Sequence, residues 1–252
     1  MRLLTFVVGN THVKLGVYDG TRLIQHCRVQ TNEERTADEY GVLVRNLLGE
    51  ETTRLDGAAV ASVVPTMTET MAELCRKYLH LEPLIVGPGV KTGMPILYDK
   101  AQDVGADRIV NAIAAYEITH DATIVVDFGT ATVFDYLSAR GEYVGGVICP
   151  GLIISSEALF ARAAKLNPVE LAKPKQVVGR NTVNAIQSGL VFGHAALVDG
   201  MVERIQRENK AKARVIATGG LSGLIAPETT VIEEVHEYLT LDGLRILYER
   251  NL

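Results

Sequence analysis

A block of three short apolar runs, separated by glycine-bearing turns, occurs twice in this 252-residue sequence, and an internal repeat of that kind leaves few folds open. The first copy occupies residues 3–8, 13–18 and 23–29, divided by Gly9-Asn10-Thr11 and by Asp19-Gly20. The second occupies residues 123–127, 132–137 and 143–148, divided by Gly129-Thr130-Ala131 and by Arg140-Gly141. Runs of this length between turn residues predict a three-stranded meander each time. Each meander leads into helix-like sequence and then into a short apolar strand ending in small residues, at 58–64 before Pro65 and at 215–218 before Gly219-Gly220. Glycine turns between valine-rich strands are common. What favours duplication is the shared order and spacing, with Gly9 and Gly20 11 residues apart and Gly129 and Gly141 12 apart. The order β-β-β-α-β-α, written twice, predicts an α/β chain of two halves with a cleft between them. The halves are expected at 1–117 and 118–252, with a hinge near Ile118 to Asp121.

Composition narrows the class. Apolar residues make up 47% and charged residues 22% of the chain, enough to bury a sizeable core. The net charge of −5 and a pI near 5.7 argue against a nucleic-acid or membrane surface, since both need clustered Lys and Arg, so small-molecule chemistry is expected. The amino terminus has a basic residue and then an apolar run, but that run stops after six residues at Gly9 without a small-residue cleavage site. No stretch reads as the roughly 18 to 20 apolar residues of a membrane span, so a cytoplasmic location is expected. Cys27, Cys75 and Cys149 lie far apart with no CxxC pair, which predicts reduced and mostly buried thiols. The six histidines show no HxxxH or HExxH spacing, and no histidine-based metal site is expected.

The turns carry the first candidate chemistry. Gly9-Asn10-Thr11 offers backbone N–H groups and a hydroxyl to an anion with no side chain blocking the approach, and Gly129-Thr130-Ala131-Thr132 offers the same in the second copy. Each turn alone also serves as a plain hairpin; together they could grip a polyphosphate. Asp127 ends the apolar run Ile124-Val125-Val126, where a carboxylate either caps the turn or holds a cation beside phosphates, and the context favours the cation. About twenty residues between Val86 and Asp107 lack a clear period, as lids and binding loops do. They deliver the chain to Gly105-Ala106-Asp107-Arg108, where a helix begins with Ile109, Ile113 and Tyr116 on one face. Asp107 suits either the helix dipole or a general base, and Arg108 can act as an anion-binding fork. Asn181-Thr182 opens a long helix, in which Thr182 can be read as a cap.

Gly9-Asn10-Thr11, Gly87-Pro88-Gly89-Val90-Lys91-Thr92-Gly93, Tyr98-Asp99, Gly105-Ala106-Asp107-Arg108-Ile109-Val110-Asn111-Ala112, Val126-Asp127-Phe128-Gly129-Thr130-Ala131-Thr132, Gly145-Gly146-Val147-Ile148, Asn181-Thr182, Gln187-Ser188-Gly189 and Ala217-Thr218-Gly219-Gly220 together resemble the type III pantothenate kinases. The resemblance runs in order from about Leu3 to the carboxyl end. It implies a duplicated actin-like (ribonuclease H-like) fold, two βββαβα halves around a nucleotide cleft, and a homodimer. It also implies ATP-dependent phosphorylation of pantothenate to 4'-phosphopantothenate, the first step of coenzyme A synthesis. Carried over by motif, Asp107 would take the proton from pantothenate's primary hydroxyl. Tyr98, Gly105, Ala106, Asp107, Arg108 and Thr182 would contact pantothenate. Asp127 would bind a monovalent cation, potassium or ammonium. Thr130 and the loop Val7, Val8, Gly9, Asn10, Thr11, His12, Val13, Lys14 would contact ATP, with magnesium bridging the phosphates.

The chain departs from that pattern at the first loop, which in the family reads Asp-x-Gly-Asn-Thr. Here Val7 holds the Asp position, although the second copy keeps its acid, Asp127, two residues before the matching glycine. Val133 stands where the family usually has Thr, and Lys14 is uncommon for the family, serving either a phosphate or an exposed strand. Two functional readings stay open: a pantothenate kinase with a weakened metal site, and a non-catalytic relative that binds nucleotide or pantothenate as a regulator.

Overall fold

A computed structural model describes residues 1–252. The chain forms two compact units, Met1–Ala114 with Leu239–Leu252, and Ala115–Tyr238. The first contains β1 (Arg2–Val8), β2 (His12–Asp19), β3 (Arg22–Gln30), α1 (Ala37–Leu48), β4 (Gly57–Ser62), α2 (Pro65–Leu74), β5 (Leu84–Ile85) and the start of α3 (Ala106–Thr119). The second contains β6 (Thr123–Phe128), β7 (Ala131–Leu137), β8 (Tyr143–Pro150), α4 (Leu152–Arg162), α5 (Thr182–Asn209), β9 (Arg214–Thr218), α6 (Ser222–Ile225) and β10 (Glu234–Val235). The last helix, α7 (Leu239–Glu249), returns to the first unit.

The two sheets have one topology. The first runs β3-β2-β1-β4-β5 and the second β8-β7-β6-β9-β10, each with an antiparallel meander and two further strands parallel to its central one. Both predicted meanders are present. The fifth strands, β5 and β10, are two residues long and too short to leave a periodic signal.

Local chemistry explains the element boundaries. Thr36 caps α1 by accepting from Glu39 N, and the Glu39 carboxylate accepts from Thr36 N in return, a reciprocal box that satisfies two otherwise orphaned donors. Pro65 starts α2, where its missing N–H costs nothing. In β1, Leu4, Phe6 and Val8 point into a core with Val13 and Leu15 of β2, Tyr40 and Val44 of α1, and Met67 and Met71 of α2. α7 packs on β1, β2 and β4, placing buried Leu241, Leu244 and Leu247 in the first unit. The second unit repeats the plan, with Ile124, Val126 and Phe128 of β6 packed with Val191, Ala195 and Val198 of α5.

Several expectations need correction. The division falls at Ala114/Ala115, inside α3, and Leu239–Leu252 belong with the first unit, because the apolar face of α7 is buried on that sheet. α5 is long and apolar enough to cross a membrane by length and composition, which a count of uninterrupted apolar runs overlooked; it lies in the second unit's core. All three cysteines are free thiols, but only Cys75 is buried.

Close packing of α7 makes a sharp test. A Cβ on Gly243 would lie 1.8 Å from the Val110 carbonyl oxygen on α3, whereas one on Gly200 of α5 would meet nothing within 4 Å. Gly243→Ala should therefore destabilise by about 3 kcal/mol through overpacking, and Gly200→Ala should stabilise by about 0.5–1 kcal/mol through backbone entropy. Opposite shifts in thermal melting check both; equal shifts would contradict the placement of α7.

Candidate functional site

In the first unit the chain turns between β1 and β2 at residues 9–12. Gly9 N donates to His12 O at 3.0 Å, Thr31 Oγ1 to Gly9 O at 2.6 Å and Thr31 N to Thr11 O at 3.0 Å, so the start of the segment after β3 braces the turn. Asn10 and Thr11 remain exposed. Gly9 does not adopt a positive φ; what it supplies is the absence of a side chain at the mouth of the turn. Register then fixes the neighbours. Val7 pairs with Lys14, and Lys14 pairs with Arg28. Burial first, then the charges of Arg28 and Lys14, lower the His12 pKa, so this imidazole stays neutral at physiological pH.

Asp107 lies in the first turn of α3, as expected, and its Oδ1 accepts the Arg108 N–H at 2.8 Å. The carboxylate folds back over Gly105, where an added Cβ would come within 2.6 Å of Oδ1. Gly105 is thus what lets Asp107 take this position. Burial pushes the Asp107 pKa above its ordinary value, against the pull of the Arg108 N–H and of the Arg108 and Lys14 charges. Arg108 is itself buried and its guanidinium lies 6.0 Å from the Tyr98 ring centre, so Tyr98, Gly105, Ala106, Asp107 and Arg108 are gathered at one end of α3. The long segment before them is tied down. Lys91 exchanges two hydrogen bonds of 3.0 Å with the Asn251 side chain, and Arg250 Nη1 donates to Thr92 O at 2.7 Å.

In the second unit the corresponding turn spans residues 129–131, with Gly129 N donating to Ala131 O at 3.0 Å, and Thr130 exposed at its tip. Asp127 pairs with Val133 on one side and Thr218 on the other. Gly219 takes φ +94°, and a Cβ there would come within 2.6 Å of Asp127 Oδ1. Thr218 Oγ1 is buried without a hydrogen-bond partner. A carboxylate next to an unsatisfied hydroxyl oxygen is a donor set suited to a hard cation, so the residues present fit a monovalent ion at Asp127. Behind the turn, Thr132 Oγ1 and His194 Nε2 lie 2.8 Å apart in the core, and burial lowers the His194 pKa. Thr182 is not the cap of α5: Asn181 is, its side chain accepting from Asn184 N at 2.8 Å. Thr182 instead lines an open groove of about 770 Å³ with Arg180, Asn181, Ile186 and Leu190.

A divalent ion fits the first loop less well. β1 and its turn carry no carboxylate, Asp19 lies at the far end of β2, and no group of three or more His, Cys, Asp or Glu side chains is arranged to hold a metal. Sequence reasoning passed over Arg28 and His194 altogether, and gave Thr31 and Thr218 no role in the site. Pairing the predicted strands residue by residue would have found Arg28, which the register sets beside Lys14.

Three comparisons place the chain among known proteins. The family model for type III pantothenate kinase matches residues 3–204. The type III pantothenate kinase of Pelobacter propionicus is 56% identical, covering 99% of each chain. Among solved structures, a Campylobacter jejuni protein of the Baf family of transcriptional activators superposes with a TM-score of 0.61 at 18% identity, covering 98% of each chain. Component A of the Acidaminococcus fermentans (R)-2-hydroxyglutaryl-CoA dehydratase gives 0.58 at 13% identity, covering 98% of this chain and 97% of that one. At such identities the structural matches speak for the fold alone, the duplicated actin-like one. Near-complete coverage at 56% identity speaks for more: this chain belongs to the type III pantothenate kinase family.

Proposed function

We propose that this protein transfers the γ-phosphoryl group of ATP to the primary hydroxyl of pantothenate, giving 4'-phosphopantothenate and ADP. Alongside family membership, one structural observation carries the reading. The first unit sets a half-buried carboxylate, Asp107, in the first turn of α3, held by the Arg108 N–H beside the Arg108–Tyr98 pair. The substrate oxygen attacks the γ-phosphorus, the bond to the β–γ bridging oxygen breaks, ADP departs, and the hydroxyl proton passes to Asp107. Arg108, Tyr98 and Thr182 bind and orient pantothenate, whose carboxylate suits a guanidinium. Val7 to Lys14 and Thr130 hold ATP. Asp127 and Thr218 would hold a monovalent cation, which would supply positive charge to the site, and magnesium bound to ATP would supply neutralisation of charge during transfer.

A homodimer belongs to the same reading, supported by exposed apolar side chains on the second unit, among them Ile148, Ile153, Ile154, Leu159 and Val183. So does a cytoplasmic location, which suits the free thiols. Val7 favours the second reading, a relative that binds these ligands without chemistry. Calorimetric titration with pantothenate and ATP, followed by mass detection of product, separates the two: binding with no phosphopantothenate would establish the regulator.

Asp107→Asn should keep pantothenate binding and lower turnover by roughly 10²-fold or more, the scale of a lost general base. Its stability has a definite sign. Because the folded pKa of Asp107 is raised, its favourable contribution exists below the unfolded pKa and is lost as pH rises through the folded value. The Asn variant should therefore melt no lower than the parent at neutral pH, with the difference closing in acid. Unchanged turnover would remove Asp107 from the mechanism.

Activity should also depend on potassium or ammonium and fall in sodium alone at fixed ionic strength. Thr218→Val, which removes the hydroxyl oxygen beside Asp127, should raise the potassium concentration needed for half-maximal rate by about tenfold, the scale of one charge-assisted contact. Equal rates in all three salts would count against the cation.

A further inference from the structure

Equivalent cross-strand rows in the two copies of the loop differ in the sign of their charge. At the mouth of the second turn, the row running across β6, β7 and β8 is Asp127, Val133, Ile148. The same row across β1, β2 and β3 is Val7, Lys14, Arg28. An acid followed by two apolar residues has become an apolar residue followed by two cations.

Directly paired residues on antiparallel strands point to the same face with their Cβ atoms about 5 Å apart. Lys14 and Arg28 are therefore side-by-side cations next to Val7, whose side chain is buried. His12, two residues before Lys14 and so on the same face, feels both charges, and the field of Lys14 also reaches Asp107. Neither Lys14 nor Arg28 joins an ion pair, whereas Arg2, Arg76, Lys77, Arg140 and Arg214 all do. Like charges opposed on neighbouring strands destabilise a sheet, so this row is unfavourable in the free protein and favourable once an anion lies over it. The turn beside it, Gly9-Asn10-Thr11, has Asn10 and Thr11 exposed at its tip.

We propose that Lys14 and Arg28 form a fixed-charge polyphosphate site, which holds the terminal phosphates of a nucleotide at the first loop without a carboxylate-bound divalent ion. The proposal rests on the nucleotide-binding reading above and goes beyond it. Two cations built into the sheet supply the neutralisation that a metal held at position 7 would otherwise bring. Nucleotide binding then tolerates the loss of divalent ions and weakens with salt, as attraction between partly exposed charges does.

The test is calorimetric titration of the full chain with ADP and with inorganic tripolyphosphate, each in excess EDTA and in magnesium. Wild-type affinity in EDTA should stay within about threefold of that in magnesium, a difference of under one order of magnitude. Lys14→Met and Arg28→Met should each weaken binding in EDTA by about 10- to 100-fold, the range for a hydrogen bond to a charged group. Their ligand-free melting temperatures should not fall, because each relieves a like-charge contact. Lys14→Arg should retain most of the affinity, and Val7→Asp, which sets a carboxylate opposite Lys14, should make binding depend on magnesium. Loss of wild-type binding in EDTA, or full affinity in both Met variants, overturns the proposal. If binding needs magnesium yet product forms, this site fails and the kinase stands; if no nucleotide binds in either medium, both fail.

Discussion

The antiparallel register between β1 and β2 is the constraint from which the rest of the first unit's site follows. Seven consecutive pairs, from Arg2 with Asp19 to Val8 with Val13, settle which side chains meet across the sheet. Because side chains alternate along a strand, a slip by one residue would send Val7 and Lys14 to the opposite face and Phe6 and Leu15 out of the core. The buried row of Leu4, Phe6 and Val8 therefore acts at a distance on the chemistry: its burial holds the opposite face, with Val7 and Lys14, in register. Duplication applies the same rule to β6 and β7, where it delivers Asp127 to the turn.

Against that scaffold, Asp107 is placed by different means. Its position depends on a helix start, on a glycine two residues earlier that leaves room for the carboxylate, and on its own neighbour's N–H. Burial and hydrogen bonding pull its proton affinity in opposite directions, and burial prevails. A carboxylate held in this balance binds a proton more readily than one in water, which suits the general-base role proposed for it.

Much of this was legible in the sequence, and what was not has physical reasons. Both meanders could be read because turn residues punctuate runs of the length strands prefer, and the start of α3 because Gly105 and Asp107 sit where a helix begins. The edge strands β5 and β10 were invisible, as two residues carry no period. The home of α7 was also hidden: its apolar face shows that it packs, but only the room left by the missing side chains of Gly16 and Gly57, beside Leu241 and Tyr248, reveals which sheet receives it. Asn181 and Thr182 are both good caps, and only the bond to Asn184 N decides between them. Arg28 has no local signature because its neighbour Lys14 is distant in sequence and close only through pairing.

The return of α7 to the first unit makes the second unit an insertion in the chain, and this orders events on the ribosome. The second unit, Ala115–Tyr238, is contiguous and fully synthesised before the helix that closes the first has been made. Until then the faces of β1 and β4 that α7 covers stay bare, and the first unit, though it emerges earlier, is finished last. Its closing contacts join residues more than two hundred positions apart, such as the Tyr18 hydroxyl on Asp242 at 2.8 Å. Contacts of that sequence separation form slowly and leave apolar surface open in the interval. Vectorial synthesis thus leaves the closing contacts of the first unit to residues made after the whole of the second.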